Sequence, residues 1–506
     1  MLDKRGAGVL LHISSIPSPY GIGVFDDNAK HFVDKIADMG FGYWQVLPFN
    51  PVDASNSPYC SPSAFAGNYL FINPQGLMDM GLIDESDVKS NIYDGTPYTA
   101  DYEFAAKVRL DTLKKAFNNI DDKLAQEIKN FELDNSWLTD YAVFMAVKEL
   151  EGGKPWWEWS DNHAHYFNCV KDIYSFESKA AFWKFVQFVF YKQWSEIKDY
   201  ANKKGIAIIG DMPIYVAMDS VDVWSNLPMF LIDEKTLKVE KVAGVPPDYF
   251  SKDGQLWGNP IYDWQAMKKD GYSWWLSRLG HALKVYDTVR IDHFRAFASY
   301  WAVPADSDTA KVGEWIDGPG MDFFGKVFEA FADAPIIAED LGVFGEDVVK
   351  LLQDTDFPGM KVVQFGFDPD SDSSHMPHNA TPNSINYVGT HDNNTILGWL
   401  WEASESERKF ALDYIGFDGD NWGDGGYYSK SCRKVIEAVW KSASNVAIVS
   451  LQDMCGFGSD ARMNIPGVPD KNWRFRTTKD TIESIDSAYF RHINTLYRRI
   501  YPVFGK

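Results

Sequence analysis

Eight short apolar runs recur along this chain, most of them separated by a helical pattern, and that rhythm limits the fold more than any other feature. They lie at 7–11 (AGVLL), 43–48 (YWQVLP), 206–210 (IAIIG), 288–291 (TVRI), 335–338 (PIIA), 361–367 (KVVQFGF), 386–389 (NYVG) and 446–451 (VAIVSL). Runs of four to seven residues bounded by turn residues read as buried strands. Helical spacing fills many of the gaps, as at 26–39, 320–331 and 429–442. Alternation of this kind implies parallel strands with helical crossovers, and eight units point to an α/β fold, a TIM (β/α)8 barrel.

The rhythm breaks once. From residue 50 to about 203 no strand repeat is visible, and a Pro/Ser-rich loop leads into helical stretches at 102–118 and 180–201. We therefore expect a barrel begun by residues 1–50, a mostly helical insertion over 51–203 and the rest of the barrel over 204–506. The aromatic clusters of the insertion (Trp156, Trp157, Trp159; Phe182, Trp183, Phe185, Phe188) read as helix core. Its loop at 52–68 is different: it is small, aromatic and loop-borne, with Tyr59 expected to be exposed. Loops on a rigid scaffold are where function concentrates. The last stretch, 484–499, is amphipathic and reads as a helix outside the barrel.

Several of the strands end in an acid. Asp211, Asp292, Glu339, Asp392 and Asp453 all fall at the end where a barrel of this kind carries its active site. One such aspartate is readily a helix cap; five, with His293 and His391 beside two of them, read as a site. In the strand 288–291, Arg290 and Asp292 share a face because strand side chains alternate. Clustered carboxylates suit a cation, or a division into acid and nucleophile as in glycoside chemistry. Arg290 puts a fixed positive charge where a cation would sit, which favours the second, so we expect no metal.

Other classes are excluded. A net charge of −22 argues against nucleic-acid binding, and no apolar run is long enough to span a bilayer. The four cysteines, Cys60, Cys169, Cys432 and Cys455, show no CxxC or zinc spacing and suit a reducing, cytoplasmic setting. Walker, HExxH and GxSxG motifs are absent. The glycine loop at 456–461 lacks a dinucleotide context, and the DPDSDSS stretch at 368–374 has Ser373 where a calcium loop needs glycine.

Seven longer segments carry a family likeness: SPYCSPSAFAGN (57–68), GDMPIYVAMDSVDVW (210–224), AGVPPDYFSKDGQLWGNPIYDW (243–264), RIDHFRAF (290–297), IIAEDLG (336–342), GTHDNNT (389–395) and LQDMCGFGSDARMNIPG (451–467). In these and in their order the chain resembles the amylomaltases, the 4-α-glucanotransferases also called disproportionating enzymes, across nearly its whole length. Met218 and Asn394 depart from the family pattern, which has histidine and aspartate there.

The resemblance implies a retaining enzyme of the α-amylase clan with Asp292 as nucleophile, Glu339 as acid/base and Asp392 as the third carboxylate. It implies sugar contacts from Ser57, Tyr59, Trp257, Arg290, His293, Asp340, His391 and Asn464. The loop 244–264, with Tyr249, Phe250, Trp257 and Tyr262, is the expected lid. The implied donors are maltooligosaccharides and α-1,4-glucans derived from starch or glycogen, with glucose as an acceptor and no cofactor. Two other readings stand beside it: an amylase-like hydrolase, which the same carboxylates would serve because the intermediate is the same, and a non-catalytic glucan-binding protein, which would keep the aromatics but dispense with the acid.

Overall fold

A computed structural model describes residues 2–247, 252–342, 345–468 and 471–500. Eight parallel strands close a barrel: β1 (Gly6–Leu10), β2 (Tyr43–Gln45), β3 (Ala207–Pro213), β4 (Thr288–Asp292), β5 (Ile336–Ala338), β6 (Gly359–Val362), β7 (Ser384–Tyr387) and β8 (Val446–Ser450). The order follows the sequence, and β8 returns to pair with β1, Gly6 opposite Val446 and Leu10 opposite Ser450. The (β/α)8 expectation is met.

Side chains alternate along each strand, so every second residue faces the lumen. Ala207 and Ile209 pack there with Leu10, Ile337, Met360, Val362, Ile385, Tyr387, Val446 and Ile448. Continuing the same alternation upward brings Asp211 to the lumen above Ile209. The lower barrel is thus a dry plug and its upper layer is polar.

The ring of helices comprises α1 (Asp27–Asp38), α2 (Glu177–Lys203), α3 (Ser273–Val285), α4 (Gly320–Ala330), α5 (Glu346–Thr355), α6 (Lys430–Lys441) and α7 (Ser487–Leu496). Local signals start them where expected: Asp26 caps α1 by accepting from the amides of Asn28 and Ala29. The βα rhythm fails between β6 and β7, where 363–383 forms only two 3-10 turns, Val363–Phe365 and Pro377–Asn379. The run at 361–367 therefore overreads its strand, which ends at Val362. The stretch at 484–499 is likewise split, because Ile485 and Asp486 separate a short helix, Lys479–Ser484, from α7.

The insertion is mostly helical, with helices at Tyr102–Phe117, Asp122–Asp134 and Trp137–Leu150. Trp156 and Phe185 are fully buried, whereas Trp157 is exposed. The boundary expected at 203 falls at the end of α2, a helix that packs on Trp137–Leu150 in the insertion and also on α1 and β3. Insertion and barrel share that element. A second, antiparallel sheet stands over the barrel mouth in the order 255–260, 241–245, 299–304, 314–317. No helix among the described residues is long and apolar enough to cross a membrane.

Two arginines seal the seam beneath β1 and β8. The buried Arg499 donates to the carbonyls of Gly6, Trp440, Ser442, Ser444 and Asn445. Arg5 donates to those of Trp440, Ser442, Ser444 and Tyr497. Trp440 lies near the C-terminal end of α6 and Ser442 just beyond it, where cationic donors are favoured. Replacing Arg499 by Ala removes the charged donor shared by five carbonyls, only three of which Arg5 also serves, and should cost about 3 kcal/mol. Urea unfolding followed by tryptophan fluorescence should show a lower midpoint; an unchanged midpoint would mean that the seam does not depend on this residue.

Candidate active site

The site begins with one pairing. Asp211 on β3 lies opposite Arg290 on β4, and both point into the upper lumen. Arg290 Nη1 donates to Asp211 Oδ2 at 2.5 Å, and Nη2 donates to Asp292 Oδ1 at 2.9 Å. The guanidinium is 3% exposed and the Asp211 side chain 0%, so each charge is tolerable only because the other is present. Asp292 is one alternation nearer the rim, with 28% of its side chain open to the cleft.

Glu339 follows β5 directly. Its amide donates to the Ile291 carbonyl at 3.0 Å, which seats it on the neighbouring strand to Asp292. Both of its oxygens accept from main chain: Oε2 from the His293 amide and Oε1 from the Leu341 amide, each at 2.7 Å. His293 reaches this position by turning left-handed, with φ of 52°. A left-handed non-glycine residue immediately after a strand is uncommon and collects at functional sites; here the turn aims an amide at a carboxylate.

Asp392 comes from the turn after β7. Oδ1 accepts from Asn464 Nδ2 at 2.6 Å, and Oδ2 lies 3.2 Å from His391 Nε2. Tyr59 stacks on His391 with ring centres 5.2 Å apart and planes at 17°, and its hydroxyl donates to Asp211 Oδ2 at 2.7 Å. Tyr59 is therefore half-buried and anchored, not exposed as expected. It links the Arg290 group to the Asp392 group.

These groups line one cleft of about 1390 Å3, with Asp292, Glu339 and Asp392 at its floor. Ser57, Tyr59, Trp257, Arg290, His293, His391 and Asn464 all face it. Asp340 does not. Its carboxylate accepts from the Met360 amide at 2.6 Å and approaches Lys361. The next residue after an inward one points the other way, which is why Glu339 and its neighbour part. Asp453 is also turned away, accepting from the Ile396 amide and the Ser450 hydroxyl as a buried anchor.

Of the expected lid, Tyr249 and Phe250 lie outside the described residues. The rest of 244–264 belongs largely to a hairpin whose Trp257 packs edge-on against His293, ring centres 4.7 Å apart. Tyr262 is core, donating to the Ile214 carbonyl. Met218 and Asn394 do not line the cleft; the Met218 carbonyl accepts from Trp156 Nε1, and Asn394 Nδ2 donates to Ser459. Trp473, with φ of 65°, packs on both Tyr59 and His391 and lines the cleft. On the opposite wall Arg295 lies 4.0 Å over the Trp315 ring. Nothing in the sequence pattern marks Trp473, because neither its backbone twist nor its partners are local.

The electrostatics divide the carboxyls. Burial raises Glu339 above the ordinary carboxyl range; Arg290 and the two amides oppose it. Burial also raises Asp292, against Arg290 and with Asp211, Glu339 and Asp392 adding to the rise. Neighbouring acids of this kind titrate as a pair. Burial would raise Asp392 as well, but His391, Asn464 and Arg290 outweigh it and hold the group down at about 2. His391 is raised: burial lowers it, and the charge and hydrogen bond of Asp392 more than reverse that. His293 is pushed down to about 3 by burial, then by Arg295, and is neutral.

Known proteins of one family share this chain's sequence and fold. A family model described as 4-alpha-glucanotransferase matches residues 11–481. The chain is 42% identical to a 4-alpha-glucanotransferase of Streptococcus pneumoniae, covering 99% of this chain and 98% of that one. It is 41% identical to one from Synechocystis, covering 99% of each. Its structure is similar to that of an amylomaltase from Streptococcus agalactiae in complex with acarbose, with a TM-score of 0.93, 38% identity, and coverage of 98% and 100%. An amylomaltase from Corynebacterium glutamicum, 18% identical, shares the fold with a TM-score of 0.78, over 99% of this chain and 75% of that one.

The His391–Asp392 pair has a definite pH signature. The contribution of His391 to stability is complete below the ordinary histidine range and fades as pH rises through its raised value. That of Asp392 is present above the ordinary carboxylate range and fades as pH falls toward about 2. In Asp392→Asn the His391 imidazole should therefore titrate at lower pH than in the parent protein, read from its ring-proton NMR signal. An unmoved titration would break the pairing.

Proposed function

This chain belongs to the 4-alpha-glucanotransferase family, and from that membership we propose how its cleft carries out transfer between α-1,4-glucans. Its reaction class is glycosyl transfer, and the hydrolase reading is not favoured. The observation that carries the proposal is the adjacency of two unlike acids: Asp292 with Arg290 on it, and Glu339 with only neutral donors on it. A guanidinium 2.9 Å away favours charge on Asp292. Burial raises both groups, so the geometry decides: Glu339 has no cation hydrogen-bonded to it, and the proton of the pair is assigned to Glu339.

With that assignment the reaction is a retaining double displacement, which needs carboxyls about 5–5.5 Å apart. An Asp292 oxygen attacks the anomeric carbon of the donor. The glycosidic C–O bond breaks, and the leaving oxygen takes the Glu339 proton. The donor segment is now an ester on Asp292. The 4-hydroxyl of an acceptor sugar then attacks the same carbon, Glu339 removes its proton, and the ester bond opens to return Asp292. Asp392, ionised throughout and held by Asn464 and His391, faces the ring hydroxyls and the charge that develops at the ring.

Maltooligosaccharides and α-1,4-glucans from starch or glycogen are the proposed donors, and glucose or another glucan the acceptor. Ser57, Tyr59, Trp257, His293, His391 and Asn464 are proposed as the sugar-facing walls, and Arg290 as the group that keeps Asp292 charged. Four cysteines that form no disulfide among the described residues, three of them buried, support a cytoplasmic setting.

Incubation with pure maltotriose tests the reading. Transfer should yield a ladder of longer oligosaccharides together with glucose while total reducing ends stay constant. Rising reducing ends with only shorter products would mean hydrolysis. Glu339→Gln should lower kcat by about 10²- to 10⁴-fold, whereas a glucan-binding protein would be indifferent to it.

A further inference from the structure

Asp392 and Asn464 meet in the cleft but stand on separate loops, one following β7 and the other following β8. Three contacts hold these loops together, four hydrogen bonds in all. The Asn464 amide donates to the His391 carbonyl at 3.1 Å, and Asn464 Nδ2 donates to Asp392 Oδ1 at 2.6 Å. The third is a fork: Arg462 Nη2 donates to the Asp392 carbonyl at 2.6 Å, and Arg462 Nε donates to the Asn464 carbonyl at 2.7 Å. One planar group thus spans the main chain of both residues.

Arg462 approaches from behind. It lines a small space of about 20 Å3 with His391 and Thr390, which also line the cleft, and it is absent from the wall of the cleft itself. Its start is set by a 3-10 turn, Ser459–Ala461, after which its amide donates to the Ser459 carbonyl. Glu402 and Asp392 supply the negative charge around the half-buried guanidinium. Arginine offers a fixed charge with donors forked in a rigid plane; a lysine would carry the charge without the fork.

We propose that Arg462 is a positioning residue for the transfer reaction, acting through Asp392 by fixing the Asp392 and Asn464 loops against each other. The proposal rests on the role given above to Asp392. Neither bond from Arg462 reaches a side chain that meets substrate, so its effect is on geometry. A carboxylate that slips by about 1 Å can cost on the order of 10²-fold in rate.

The test uses Arg462→Lys, Asn464→Ala and the double variant, each assayed with maltotriose. Arg462→Lys should lower kcat by about 10- to 100-fold while KM moves by less than about threefold. The double variant should be about as slow as the slower single, because both changes act on one pair. Guanidinium added to Arg462→Ala should restore part of kcat, and ammonium at equal ionic strength should not.

A folded Arg462→Lys that keeps kcat within about twofold overturns the inference, as does a double variant that loses the product of the two single factors. Arg462→Gln, which keeps an N–H donor, carries the same test if the lysine variant does not fold. Failure of both to fold would assign the residue to the fold and not to the reaction. Asp392→Asn is the control. If it retains full rate, the role of Asp392 falls; if it is inactive beside a fully active Arg462→Lys, this inference falls alone.

Discussion

A guanidinium in the throat of a barrel is a costly object, and the upper half of this molecule is arranged around one. Arg290 is held by Asp211 on one side and Asp292 on the other. Stripped of water, such a charge survives only with close counter-charges and good geometry. Asp211 supplies the permanent partner, because Tyr59 and Arg290 both occupy its Oδ2. Asp292 is left to share Arg290 while facing the cleft. The same ion group therefore tolerates the buried cation and, at the rim carboxylate, opposes the rise that burial imposes.

The rest of the cleft extends from that group by contact. Tyr59 carries the linkage from Asp211 to His391 and so to Asp392. His293, following Asp292 in sequence, turns left-handed and gives its amide to Glu339. The three acids thus lie within one connected set of hydrogen bonds and ring contacts, although they come from three different strands. A change at any of these links should be felt at more than one carboxylate.

Much of this was legible in the sequence because barrel strands are short, apolar and bounded by turn residues. The strand alternation also correctly paired Arg290 with Asp292 on one face. Legibility stopped where contacts are non-local. The run at 361–367 continued past β6 because apolar residues serve a 3-10 turn as well as a strand. Asp340 was a sugar contact only by family resemblance, yet alternation sends it to the Met360 amide. Tyr59 looked exposed from its flanking prolines, whereas its partners lie more than 150 positions away. Arg462 gave no signal, since both of its carbonyl partners are defined only by folding.

The seam between the first and last strands has a consequence for synthesis. Leu10 pairs with Ser450, so β1 keeps one hydrogen-bonding edge bare while the intervening residues leave the ribosome. Unpaired edges invite pairing with other chains, and a nascent barrel carries this one longer than any other. β1 is only five residues long and wholly apolar. Its brevity limits the template it offers to a neighbour, and the arginines beneath the seam complete the closure only when Arg499 has emerged.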